Sequence, residues 1–205
     1  MSELKKYDTA DKLLQTGIKY DISKPAGYKR YALWLLSQGK KEDGIRIMKT
    51  AISLEPPKTK EYITLMILNR LSDKEIFSSL PERVEPHLLF ADYLYKTGRE
   101  KMAEDAYLSA LQYIKNEDPI NPSYFYEVYR YYMKKDRYDE ALKIMRKAIE
   151  FLPDDAGIRI TTAGLYEKLG ITYRAVEEYK KALLIDPKND EAKKRLDNLM
   201  SKIKG

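Results

Sequence analysis

The stretch Tyr138 to Pro153, YDEALKIMRKAIEFLP, returns in outline at Thr172 to Pro187, TYRAVEEYKKALLIDP. The two closing prolines lie 34 residues apart, and so do Ala141 and Ala175. Self-similarity at a fixed period of this length is typical of repeat proteins. Because the apolar residues inside each stretch follow a helical period, we expect the repeated element to be an α-helix that ends at its proline.

A pair of small residues seven positions apart recurs along the chain in the same register. Residues seven apart lie on one face of a helix, and a small residue there lets a neighbouring helix approach closely. We therefore predict that these positions are packed against other helices while larger side chains fill the flanking space. The pairs are Ala10 with Gly17, Gly44 with Ala51, Ala103 with Ala110, Ala141 with Ala148, and Ala175 with Ala182.

A turn divides each repeat into two helices, and three of these turns contain a glycine, Gly39, Gly98 or Gly170. Glycine accepts the left-handed conformation that ends a helix, so each repeat is predicted to be a helix hairpin. The phasing predicts one solenoid domain. Its parts are a second-helix half-repeat at 1–24, repeats at 25–58, 59–83 (shortened), 84–121 (with a four-residue insertion at 118–121), 122–155 and 156–189, and a capping helix at 190–205.

The packing residues of the last repeat resemble the tetratricopeptide repeat (TPR). The family positions fall on Ala163, Tyr166, Ala175, Tyr179 and Pro187, and related matches extend over nearly the whole chain. The preceding repeat departs from the pattern at Tyr129, where the family has a small residue. The resemblance implies an all-α fold, a right-handed superhelical solenoid of stacked antiparallel helix pairs, with a concave wall formed by the first helix of each pair.

Most catalytic chemistry has no support in the composition. The chain has no cysteine and a single histidine, His87, which excludes thiol nucleophiles and sites built from several imidazoles. His87 stands where the family has a packing residue, so we interpret it as structural. We expect no catalytic residues, no cofactor and no metal site. No apolar run is long enough to cross a membrane, and the predicted location is the cytoplasm, or a fragment of a larger envelope protein.

Function is expected on the concave wall, where the family places its ligand-binding side chains. At these positions Lys29, Lys60, Arg70, Lys96, Arg130 and Lys134 are opposed only by Glu85 and Asp92. The main hypothesis is a non-enzymatic protein–protein interaction scaffold that binds a protein segment of acidic character. Lys29 matches the lysine of a known carboxylate-binding pattern, but Leu33 replaces its asparagine. The predicted partner-binding residues are Lys29, Arg70, Tyr95, Lys96, Tyr126, Arg130, Met133 and Lys134.

Two other functions stay open. The array starts with half a repeat, as expected for the soluble tail of a larger bacterial envelope protein such as a surface-polysaccharide polymerase or ligase. A net charge of +6 would also suit a basic helical-repeat protein that binds nucleic acid, with tyrosines as base-stacking platforms. Because lysines and acidic residues alternate along the predicted helices, we favour the protein-binding hypothesis over the nucleic-acid one. The oligomeric state and the partner are not indicated.

Overall fold

A computed structural model describes the backbone of residues 2–204 and the side chains of residues 8–203. These residues form twelve α-helices and two short 3-10 turns, and they contain no strand. The chain divides into two compact units, Met1–Asn116 and Glu117–Gly205. The prediction of an all-α chain built from helix pairs is confirmed. In the described residues, no helix has both the length and the apolar character needed to cross a membrane.

The first unit contains seven helices. Proline at the first helical position begins α2, and Ser72 with Glu75 forms a capping box that begins α5. Consecutive helices α2 and α3, and likewise α6 and α7, are joined by short turns and pack against each other. The helices are α1 (Ser2–Tyr20), α2 (Pro25–Ser37), α3 (Lys41–Leu54), α4 (Thr59–Leu68), α5 (Asp73–Ser79), α6 (Val84–Lys96) and α7 (Glu100–Ala110), with 3-10 turns at Pro56–Lys58 and Ile114–Asn116.

The second unit contains five helices. The Asp155 carboxylate accepts a hydrogen bond of 2.9 Å from the Ile158 amide and so caps α10. Residues 118–121 are outside any helix, and the peptide bond between Asp118 and Pro119 is cis. The helices are α8 (Ser123–Met133), α9 (Tyr138–Phe151), α10 (Ala156–Lys168), α11 (Thr172–Ile185) and α12 (Asp190–Lys204). The assignment of helix pairs to repeats stays a prediction.

The turns between paired helices have the conformation that the sequence predicts. Gly39, Gly98 and Gly170 have φ angles of 74°, 78° and 73°, in the left-handed region. In the turn between α8 and α9 the same role falls to Asp136, with φ of 54°, because aspartate tolerates this region better than most residues with a side chain. These turns reverse the chain within a few residues and place each second helix against its first.

The small residues of the repeat are packed where helices meet. Gly44 shows how closely α2 and α3 approach: a Cβ atom there would lie 2.7 Å from Cδ2 of Leu36 and 3.3 Å from the carbonyl oxygen of Ala32. The pair on α1 is the exception: Ala10 is only half-buried, and Gly17 is exposed, so that a Cβ there would meet no atom within 4 Å. The fully buried members are Ala51, Ala103, Ala110, Ala141, Ala148, Ala175 and Ala182.

His87 belongs to the core of the first unit. It is 2% exposed, its ring stacks on Tyr113 at 4.8 Å between centroids, and it meets the edge of Phe77 at 4.9 Å. Its Nε2 lies 3.1 Å from the carbonyl oxygen of Pro81, whereas Nδ1 is buried without a partner. Burial opposes the charged form and lowers the pKa of His87 to about 4. The structural interpretation of this histidine follows.

The close approach at Gly44 predicts opposite effects for two glycine substitutions. Gly44→Ala should lower the free energy of unfolding by about 1 kcal/mol, because crowding against α2 exceeds the gain in helix propensity. Gly17→Ala should raise it by about 0.5 kcal/mol, because the propensity gain meets no obstacle. Urea unfolding of both variants measures the difference. Equal stabilisation by the two alanines would show that α2 and α3 are not in this contact.

The burial of His87 predicts a dependence of stability on pH. Between pH 6.5 and 4 the unfolded chain binds a proton at His87 that the folded chain does not. The free energy of unfolding therefore decreases as the pH is lowered through this window. At pH 5 the His87 contribution should be about 2 kcal/mol smaller than at pH 7. His87→Phe keeps a ring against Tyr113 and removes the titration. The free energy of unfolding, measured with urea, should therefore fall more steeply from pH 7 to pH 5 for the natural chain than for His87→Phe. Equal pH dependence in the two chains would contradict the assignment.

Candidate functional site

In the first unit, the predicted site residue Lys29 lies on α2 and is already paired. Its Nζ lies 3.0 Å from Oε1 of Glu61 on α4 and 6.0 Å from the centre of the Tyr62 ring. The sequence prediction set the six cations that include Lys29 against Glu85 and Asp92 only, and it did not include Glu61. Glu61 is 32 residues away in sequence, and only the packing of α4 beside α2 brings the two side chains together.

The other predicted site residues of the first unit do not all lie on helix faces. Arg70 is exposed and lies beyond the end of α4, in a turn with φ of 59°, so it is not on a helix face. Lys96 is the last residue of α6, and its Nζ lies 2.7 Å from Oδ2 of Asp92 one turn earlier. Tyr95 is half-buried on the same helix. Lys29 and Lys96 therefore both have carboxylate partners within their own unit.

In the second unit, the predicted residues share one face of α8 and its end. Tyr126, Arg130 and Met133 follow a spacing of four and three residues, and Lys134 comes one turn after Arg130. Tyr126 is half-buried, and burial raises the pKa of its hydroxyl. A Cβ atom on Gly157 of α10 would lie 3.2 Å from the Tyr126 oxygen, so this face of α8 points toward α10. Arg130 and Lys134 are exposed.

A groove of about 610 Å³ lies in the second unit, beside this face of α8, and none of the predicted partner-binding residues is among its lining residues. Tyr129 of α8 lines it, and Gly164 of α10 belongs to the lining without adding a side chain. The other lining residues come from α10, α11 and α12: Ile160, Thr161, Leu165, Glu167, Lys168, Tyr179, Glu191 and Arg195.

A second groove of about 410 Å³ shares Glu167, Glu191 and Arg195 with the first and continues along α12. Its remaining lining residues are Lys194, Asn198, Leu199 and Lys202. The sequence prediction treated α12 only as a capping helix and missed these residues. The signal was present, since Lys194, Asn198 and Lys202 are four residues apart and so share one helix face.

The acidic residues of these grooves have partners inside the unit. The Tyr179 hydroxyl donates a hydrogen bond of 2.5 Å to Oε1 of Glu167, and Nη1 of Arg195 lies 3.5 Å from the same oxygen. Arg195 also approaches Glu191, with Nε 3.8 Å from Oε1. Burial and the bond to Glu167 hold the pKa of Tyr179 well above its usual range. These four side chains thus form a polar network within the groove lining.

The described side chains offer no arrangement typical of a metal site, since no three of His, Asp and Glu come together there. The chain's one histidine is buried in the other unit. What the grooves of the second unit present is a surface of aromatic, apolar and charged side chains drawn from α8, α10 and α12. Such a surface can bind a ligand through shape and charge.

Comparison with known proteins identifies two segments of this chain as repeats of a known kind. Residues 130–155 and 163–189 match the model of the tetratricopeptide repeat. The uncharacterized protein ycf37 of Cyanophora paradoxa is 32% identical over 62 residues, which are 30% of this chain and 36% of that protein. This chain therefore aligns with about a third of that relative's length.

Two solved structures align with most of this chain. MamA (AMB-1) has a TM-score of 0.50 and 15% identity, over 87% of this chain and 82% of that one. YrrB, described as a TPR protein with an unusual peptide-binding site, has a TM-score of 0.47 and 16% identity, over 87% of this chain and 95% of its own. The two matched repeats, in a chain whose described residues form paired helices, are tetratricopeptide repeats.

Proposed function

We propose that this chain is an interaction scaffold that binds a segment of another protein in the groove of its second unit. The observation that carries the proposal is the open groove of about 610 Å³ between α8, α10 and α12, with Tyr129 and Ile160 on its walls. Its volume lies in the range of ligand-binding clefts. Half-buried aromatic side chains supply contact area at a small loss of conformational freedom, as in many protein-binding surfaces.

In this proposal the bound segment also reaches the predicted residues of α8, none of which lines the groove. The Tyr126 ring lies 6.4 Å from the Tyr129 ring, between centroids, Met133 follows Tyr129 by one turn, and Arg130 and Lys134 carry positive charge at the end of the helix. Acidic character of the bound segment is part of the proposal because these two cations lie one turn apart and can act on one carboxylate. In the first unit, Lys29 and Lys96 would have to exchange Glu61 and Asp92 for the ligand. The groove itself lies in the second unit, and for this reason the proposal places the bound segment there.

A non-catalytic role is part of the same proposal. His87 is the side chain best suited to general acid–base chemistry at neutral pH, and it is buried with Nε2 at the Pro81 carbonyl. A nucleic-acid-binding role needs a concentrated basic surface. The cation pairs with Glu61 and Asp92 reduce such a surface in the first unit, which supports the choice of a protein ligand.

Filling the groove should abolish binding without unfolding the chain. Gly164→Leu adds a side chain to the groove lining, where the nearest heavy atom to a new Cβ is the Tyr179 oxygen at 4.0 Å. Segments of about 15 residues, selected for binding to the natural chain from a displayed library, should lose at least tenfold in affinity for this variant. Gly17→Leu is the matched control, since it adds the same side chain at an exposed helical glycine in the other unit. Selected segments that bind Gly164→Leu unchanged would contradict the groove assignment.

Charge reversal at the end of α8 tests the acidic character. The double variant Arg130→Glu, Lys134→Glu should bind acidic selected segments at least tenfold more weakly, while segments without acidic residues change little. Affinities at two salt concentrations, measured by fluorescence anisotropy, should also show a weaker salt dependence for the variant. Circular dichroism establishes that the variant is folded. If acidic and neutral segments lose affinity equally, the two cations do not select for acidic residues.

A further inference from the structure

The first unit has a groove of its own, of about 330 Å³, lined by α5, α6 and α7. Its volume is near the lower end of the range of ligand-binding clefts, about 300 Å³, so we expect it to admit one large side chain. Two of its apolar residues are accessible, since Phe77 is half-buried and Met102 is 38% exposed. The apolar lining is Phe77 of α5, Phe90 and Leu94 of α6, and Met102 and Ala106 of α7.

Ring contacts and an ion pair hold the α5 wall of this α5–α7 groove in place. The Phe77 ring meets the His87 ring edge-on at 4.9 Å between centroids, and it lies 6.5 Å from the Phe90 ring. The Asp73 carboxylate of α5 pairs with the guanidinium of Arg99, the residue before α7. A ligand would therefore bind walls that the folded chain has already ordered, which lowers the entropic cost of binding.

Two exposed charges of opposite sign stand on the two walls. Lys74 lies on α5 and Asp105 lies on α7, and both belong to the groove lining. Among the described side chains, neither of them has a hydrogen bond or an ion pair. Asp73 differs from both, because Arg99 neutralises it. The groove thus has an apolar interior between a free cation on one wall and a free anion on the other.

This arrangement is complementary to one kind of ligand. A large apolar side chain fills the interior, an acidic group beside it attracts Lys74, and a basic group on its other side attracts Asp105. A ligand with two like charges would satisfy one wall and be repelled by the other. Protein-binding surfaces commonly combine an apolar anchor with a polar rim in this way.

We propose that the α5–α7 groove is a second docking site, which binds a partner protein through a large apolar side chain flanked by an acidic and a basic residue. The site goes beyond the proposed function, because it lies in the other unit and shares no lining residue with the groove there. The apolar side chain packs against Phe77 and Met102. The partner's acidic residue faces Lys74, and its basic residue faces Asp105.

The test uses the full chain labelled with ¹⁵N and a defined probe, the peptide acetyl-Asp-Ala-Phe-Ala-Lys-amide. Backbone amide signals of residues 73–77 and 102–109 should shift on titration at low salt. The peptide with Ala in place of Phe should bind at least tenfold more weakly, because the apolar anchor is lost. Equal shifts with the Ala peptide, or no shifts with the probe, would overturn the proposal.

Charge exchange on each wall should change which peptide is preferred. The natural chain should bind the probe about threefold more tightly than peptides in which both charged residues are Asp or both are Lys. Asp105→Lys makes both walls basic and should prefer the two-Asp peptide, whereas Lys74→Glu makes both walls acidic and should prefer the two-Lys peptide. Both residues are exposed, so these variants should fold, and circular dichroism checks this.

A matched control separates local from general electrostatics. Glu42→Lys makes the same charge change at an exposed residue of α3 outside the groove lining, and it should keep the preference of the natural chain. If neither wall variant changes the preference, or if Glu42→Lys changes it as much as Asp105→Lys does, the assignment of the two wall charges is wrong.

Other occupants give different results. If acetyl-Phe-amide binds as tightly as the probe, the groove is a site for small apolar molecules and the proposal is overturned. If the same amide signals shift when only the concentration of the chain is raised, a second copy occupies the groove and the proposal is again overturned. A peptide preference that follows the wall charges in both variants would establish the docking site.

Discussion

Close contact between the backbone of one helix and the side chains of its partner is the packing interaction on which the helix pairs depend. At Gly44 the space left for a side chain is smaller than a methyl group needs, and the alanines at the matching positions of α3, α7, α9 and α11 are fully buried. Dispersion contacts are short-ranged, so they are largest where two helices approach without side chains between them. The larger residues, among them Tyr62, Tyr132 and Tyr179, are buried around these points. The groove is lined by the helix faces that are not used in this packing.

Most of the fold could be predicted from the sequence because its determinants are local. A glycine in the turn, a proline after a helix and small residues seven apart each act within about two helical turns, and their consequences appear at Gly39, Pro153 and Ala148. Gly17 was the exception. Its register matches the buried positions, but burial needs a helix on the other side, and the register of one helix does not reveal whether such a neighbour exists.

The candidate site was less accessible to sequence reasoning, since it depends on neighbours in space. The charge of Lys29 is compensated by Glu61 from a different helix, and a count of cations along the first helices did not include that residue. Arg70 was placed on a helix face, but α4 ends before it. The cations of α12 were overlooked because a terminal repeat helix is expected to have a polar, solvated outer face. That capping role accounts for its charged residues without a ligand.

The bond between Tyr179 and Glu167 has a consequence for how the groove receives a ligand. Its phenol is anchored in the core between α10 and α11, and its hydroxyl fixes a carboxylate that in turn holds Arg195. Tyr179 is almost fully buried and its hydroxyl is bonded to Glu167, so an incoming segment would not have to order this ring. Arg195 is held less tightly, because half of its side chain is exposed and its Nη1 lies 3.5 Å from Glu167. Selection by shape would then fall to the buried tyrosine, and selection by charge to the exposed cations beside it.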